Sequence, residues 1–97
     1  MEIIPLQQVP SQTLNVYLNN QNCKISIFQK SNGLFFSLNV DNVDYIDGVI
    51  ALNLVSLVPN KYNGFIGNLF FYDILGTSDP DYSGLGSRWL LIYNEQY

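Results

Sequence analysis

The sequence predicts an all-β fold: a small antiparallel barrel or a tight sandwich of about seven short strands, with a meander in its first half. Three observations carry that expectation. The chain of 97 residues holds 7 Tyr, 6 Phe and 1 Trp, and aromatic side chains favour the pleated strand surface. Alanine occurs once, at Ala51, and glutamate only at Glu2 and Glu95, so the best helix formers are nearly absent. Apolar residues also alternate with polar ones in short runs separated by Asn, Asp and Gly pairs, the period of half-buried strands joined by tight turns.

Taken in order, residues 2–6 read as a short edge strand ended by Pro5, which has no N–H for a ladder. Residues 7–12 are a loop. Leu14, Val16 and Leu18 then fall on one face of a strand, and residues 19–22, mostly asparagine, form a hairpin loop tolerant of left-handed backbone. Cys23, Ile25 and Ile27 face inward on the next strand. Ser31-Asn32-Gly33 is the strongest turn signal, followed by inward Leu34, Phe36, Leu38 and Val40. Asp41-Asn42 and Asp47-Gly48 read as two further turns flanking a strand over 43–46. Residues 49–58 are apolar on both faces and predict a strand covered on both sides, β-branched enough to outweigh a buried helix. A loop over 59–64 leads to a strand over 65–72, where Gly67 marks a bulge or close backbone approach. A last strand runs from Arg88 to Tyr93, and 94–97 is a tail.

Residues 1–97 are expected to form a single β domain, since a chain this size buries roughly 60–70% of its unfolded surface in one core. Charged residues make up 12%, about half the usual share of roughly 25%, which excludes the composition of a disordered chain. Net charge is −4, and the basic residues are Lys24, Lys30, Lys61 and Arg88. No phosphate-binding face and no polybasic membrane patch can be assembled from them, so neither nucleic-acid nor membrane binding is expected. Cys23 is the one cysteine, which excludes an intrachain disulfide. The first residues lack a basic n-region, and the longest apolar run falls short of the roughly 20 residues a membrane helix needs. Synthesis and folding in cytoplasm are expected.

The chemistry-bearing residues gather between Asp73 and Tyr93. The chain has no histidine, which removes the commonest general base, the commonest metal ligand and the usual partner of a nucleophilic Ser or Cys. Asp79 and Asp81 form an Asp-Pro-Asp pair that could hold a hard cation or do acid–base work, but the spacing is not that of an EF-hand and the sequence is a good turn in its own right. Gly84-Leu85-Gly86 lacks a phosphate-loop lysine and opens onto a strand, so turn geometry explains it. Arg88 is expected to pin the loop through a bidentate bridge to Asp79 or Asp81. Tyr82, Arg88 and Trp89 are alternatively the residue types that dominate protein interfaces. No catalytic, metal or cofactor site is expected.

Three segments, Met1-Glu2-Ile3-Ile4-Pro5-Leu6-Gln7, Gly64-Phe65-Ile66-Gly67-Asn68-Leu69 and the long run from Asp79 to Leu91, together resemble the phage baseplate plug family. The resemblance spans nearly the whole chain, and the Asp79-Pro80-Asp81-Tyr82 block is its most specific part. It implies a structural virion protein of a contractile tail, not an enzyme, lying near the hub and spike in the baseplate and closing the tube lumen until ejection. Its implied partners are hub, spike and tube proteins and further copies of itself, a trimer being favoured by tail symmetry. An acidic surface would also avoid gripping DNA that slides past. The alternatives are a carbohydrate- or ion-binding β module using the Asp79–Trp89 loop and, less favoured without histidine, a small hydrolase using Asp79 and Asp81.

Overall fold

The computed structural model describes residues 2–58 and 67–94. Seven strands appear in it: β1 (Glu2–Ile4), β2 (Ser11–Leu18), β3 (Gln21–Lys30), β4 (Gly33–Val40), β5 (Val43–Ile50), β6 (Asn68–Asp73) and β7 (Trp89–Asn94). One 3-10 turn, Tyr82–Gly84, precedes β7. The strands form two antiparallel sheets, the meander β2-β3-β4-β5 and a three-stranded sheet in the order β1-β7-β6. Of the two expected architectures the barrel is therefore set aside: the sheets do not close on one another, and each keeps two edges.

Local sequence explains the meander. Asn19 and Asn20 have φ of 51° and 62°, and Asp41 and Asn42 have φ of 50° and 68°. Both central residues of each turn are left-handed, the geometry whose twist matches that of the flanking strands. The first hairpin is thus tighter than the four-residue loop expected, because Gln21 and Asn22 already belong to β3. Asp41 ties the two neighbouring turns together, its Oδ1 accepting from the Asn22 N–H at 3.1 Å and its own N–H donating to the Asn22 carbonyl at 2.9 Å.

Alternation then builds the core. Cys23, Ile25 and Ile27 from β3 and Leu34, Phe36, Leu38 and Val40 from β4 pack in one hydrophobic cluster with Ile4, Leu69, Phe71, Leu91 and Tyr93 of the other sheet. Phe36 and Phe71 are wholly buried, each stabilising the fold by roughly 1.5–3 kcal/mol through area removed from water.

Three expectations change. Residues 49–58 are not one strand: β5 ends at Ile50, and the chain then crosses to the other sheet and runs along β6. The Leu54 N–H donates to the Phe71 carbonyl and the Leu57 N–H to the Leu69 carbonyl, both at 2.8 Å, with Leu54 at φ 59°. The apolar residues on both faces reflect this edge-covering path. Asp47-Gly48 is not a turn but a bulge inside β5, with Gly48 at φ +68° and the β4–β5 register shifting beside it. Gly67 lies in a bend ahead of β6, which starts at Asn68; a Cβ there would meet the Tyr93 ring at 2.5 Å. The predicted loop over 59–64, Phe65 and Ile66, and the tail beyond Asn94 lie outside the described residues.

Candidate functional site

Inward parity along β6 runs Leu69, Phe71, Asp73, so the strand delivers a carboxylate into the end of the core. Asp73 is 1% exposed, and such a group must be paired and hydrogen-bonded to remain charged. Arg88, immediately before β7, supplies the partner: its Nε donates to Asp73 Oδ1 and its Nη2 to Oδ2, both at 2.9 Å. The Leu75 and Ser78 backbone N–H groups donate to the same two oxygens at 2.9 Å. Arg88's hydrogen bonds, more than its charge, hold the Asp73 carboxyl well below the usual carboxylate range, against the opposing effect of burial and with help from the two backbone donors. The same pair raises Arg88 further above its ordinary value.

The loop between Asp73 and Trp89 is fastened around this pair. The Arg88 guanidinium stacks on the Trp89 ring, 4.5 Å from its centroid, and the Trp89 indole N–H donates to the Ser78 carbonyl at 3.0 Å. Gly84 passes so close beneath the indole that a Cβ would lie 2.5 Å from Trp89 Cε3. Gly86, at φ +81°, brings the loop against β1's exit, where a Cβ would sit 2.7 Å from the Leu6 carbonyl oxygen.

Each residue singled out from the sequence has a definite place. Arg88 bridges to Asp73 and not to Asp79 or Asp81, because β6–β7 register sets Asp73 opposite Trp89 and so beside Arg88. Asp79 instead accepts from the Asn53 N–H at 3.0 Å, fastening the loop to the edge-covering segment. Asp81 accepts from the Ser83 hydroxyl at 3.3 Å and, through its carbonyl, from the Gly84 N–H at 3.2 Å, shaping the 3-10 turn. The Tyr82 N–H donates to Gln29 Oε1 at 3.1 Å, which joins the loop to the four-stranded sheet, while its side chain stays exposed. Trp89 is 6% exposed, so its ring is a packing element and not an open stacking platform.

Sequence reasoning underrated Asp73, Asn53 and Gln29. Asp73 had a readable signal, an acid at an inward position of an apolar strand in a chain with one arginine. Asn53 and Gln29 act by long-range contact and had none: the Asn53 side chain accepts from the Asp73 N–H at 2.9 Å, as a neighbouring strand's carbonyl would.

Chemically this arrangement holds shape. Both Asp73 oxygens are occupied by donors, and Asp79 and Asp81 serve separate backbone and hydroxyl partners. Among the described residues no three His, Cys, Asp or Glu side chains converge as a metal site would require. A recess of about 160 Å³ opens on the four-stranded sheet near the β5 bulge, lined by Lys24, Ser26, Ser37, Asn39, Asp44 and Asp47 among others, with no loop residue and no aromatic ring.

The profile described as Cyanophage baseplate Pam3 plug gp18 matches residues 1–96. The chain belongs to that family. No curated protein matches it. Membership of the baseplate plug family makes the protein a structural component of a phage tail baseplate, which interacts with other baseplate components. The fastened loop is in keeping with that role: the Asp73–Arg88 pair ties its two ends together, and Asn53 and Gln29 tie it to the edge-covering segment and the four-stranded sheet.

Proposed function

We propose that the chain is the plug of a contractile tail, sealing the central tube near the spike through contacts with hub, spike and tube proteins until the sheath contracts. The observation that carries this reading is the family match along residues 1–96. A loop anchored to both sheets supports it, because a stopper must transmit load without unfolding locally. The low charge, −4 with four basic residues in 97, supports an assembly held by shape and apolar contact, with no grip on DNA moving through the tube. The protein is made in the host cytoplasm and assembles there in symmetric copies about the tail axis, threefold symmetry being the one expected of a hub-level component.

Co-expression with the same virus's hub, spike and tube proteins, followed by light scattering on a sizing column, tests the proposal. Co-elution in a complex of fixed stoichiometry is the expected result. A chain indifferent to all three proteins, or one that binds duplex DNA tightly with a steep salt dependence, would overturn it.

A further inference from the structure

The sheet edges of this protein are not treated alike. β1 is three residues long and is followed by Pro5. β6 is covered by the segment after β5, through the Leu54 and Leu57 N–H groups. β5 carries Asp44 and Asp47 and is bent by the bulge at Gly48. These are the devices that keep sheet edges from pairing with other chains. Within its own length β2 has none of them, and the proline before it, Pro10, turns its carbonyl to the Gln29 N–H of β3 and not outward. Its 8 residues, SQTLNVYL, include no charge, proline or glycine, and its register with β3 is unbroken from Ser11↔Phe28 to Leu18↔Gln21.

The direction of its free backbone groups follows from the hairpin. The Gln29 N–H donates to the Pro10 carbonyl at 2.7 Å, and the two-residue turn closes on the Leu18↔Gln21 pair. Even-numbered residues of β2 therefore exchange hydrogen bonds with β3, and Ser11, Thr13, Asn15 and Tyr17 point their N–H and C=O groups outward. Among the described residues none takes up those groups. On the inner face of the same strand Leu14 and Val16 stay partly exposed, while Cys23, Ile25 and Ile27 on β3 are wholly buried.

We infer that β2 is a pairing edge whose occupant is β2 of a second copy, antiparallel about a twofold axis at Leu14, joining the two meanders into one continuous sheet. In this register Thr13 of one copy lies opposite Asn15 of the other and Ser11 opposite Tyr17, so every outward-pointing residue meets another. Leu14 meets Leu14 on the inner face and covers the apolar surface the single chain leaves open. Neither strand carries a charge. The nearest cations, the two Lys24 side chains, are separated by three strand spacings, roughly 14 Å, beyond the screening length of about 8 Å at physiological salt. The same operation applied to β5 would crowd Asp44 and Asp47 against their copies. A twofold, self-complementary contact is also the commonest way identical chains associate.

Light scattering on a sizing column of the full chain alone tests this. The wild type is expected at twice the chain mass. Asn15→Pro, which removes an N–H that β3 does not use, and Thr13→Lys, which sets cations across the axis, are expected at the mass of one chain with the wild-type far-ultraviolet circular dichroism. Should Asn15→Pro fail to fold, Thr13→Lys decides. Leu14→Cys is expected to form an intermolecular disulfide on mild oxidation, because facing residues at such a position lie about 4.5 Å apart at Cα. A wild type at one or three chain masses, a dimer that Thr13→Lys leaves intact, or a β2 edge occupied only by another baseplate protein would overturn the inference. A single chain or a trimer that still co-elutes with hub, spike or tube would overturn this inference and leave the plug proposal standing, whereas a β2-paired dimer indifferent to all three would do the reverse.

Discussion

Replacing Gly84 by alanine places a methyl group against the six-membered ring of Trp89, 2.5 Å from Cε3 and 3.1 Å from Arg88 Cβ. Contacts this short cannot persist, and the indole is poorly free to move: its N–H is held by the Ser78 carbonyl at 3.0 Å and its face by the Arg88 guanidinium. Overpacking of this kind costs about 1–3 kcal/mol, offset by the roughly 0.4–1 kcal/mol that a Gly→Ala change contributes through the unfolded chain. The net loss is about 1–2 kcal/mol, which lowers Tm by roughly 5–15 °C in a domain of this size. Gly76 is the internal control. It lies in the same loop, its φ is likewise ordinary, and a Cβ would meet only Asp73 Oδ2 at 3.6 Å and Arg88 Nη2 at 3.7 Å. Gly76→Ala is therefore expected to stabilise by about 0.4–1 kcal/mol. Thermal and urea unfolding measure both variants, and Trp89, the single tryptophan, adds a fluorescence readout. Emission in Gly84→Ala should shift to longer wavelength as the ring is pushed outward. Wild-type stability in Gly84→Ala, or an equal loss in Gly76→Ala, would refute the packing of glycine beneath the indole.

Other outcomes follow from the same geometry. Asp73 is held below the usual carboxylate range by Arg88, so its contribution is complete above the unfolded carboxylate value of about 4 and is lost as pH falls through the lower folded value. The urea midpoint of the wild type should accordingly decline below about pH 4, whereas Asp73→Asn, less stable at pH 7, should show a smaller decline. Burial, helped by the Asp41 carboxylate, pushes the Cys23 thiol up to about 11, so it should resist a disulfide reagent at pH 8 until the chain unfolds. Its stabilising effect, full below its ordinary value of 9.0, should fade as pH rises toward about 11, and this fading should be missing in Cys23→Ala. Phe36→Ala removes a wholly buried ring and is expected to cost about 3–5 kcal/mol by urea unfolding.

What could be read in advance was whatever is decided within a few residues. Alternation along 34–40 placed Leu34, Phe36, Leu38 and Val40 inward, and Asp41-Asn42 has side chains that tolerate the left-handed turn it adopts. Residues 49–58 misled because an apolar segment lying along a sheet edge has the composition of a buried strand; only the Leu54 and Leu57 hydrogen bonds to β6 distinguish them. Asp47-Gly48 has the sequence of a turn, but pairing with β4 on both sides of it makes a bulge the cheaper conformation. At the loop, the residues that matter were visible while one pairing was not. Asp79 and Asp81 are nearer to Arg88 along the chain, yet sheet register brings Asp73 to it, and register depends on where β6 and β7 begin.

Cryo-electron microscopy of virions before and after ejection tests the proposed position of the chain as a plug in the baseplate lumen. Density fitting the two packed sheets is expected across the tube axis near the spike in full particles, with its loss or displacement once the sheath has contracted. Density for the chain on the baseplate periphery, or an unchanged obstruction of the lumen after ejection, would contradict it.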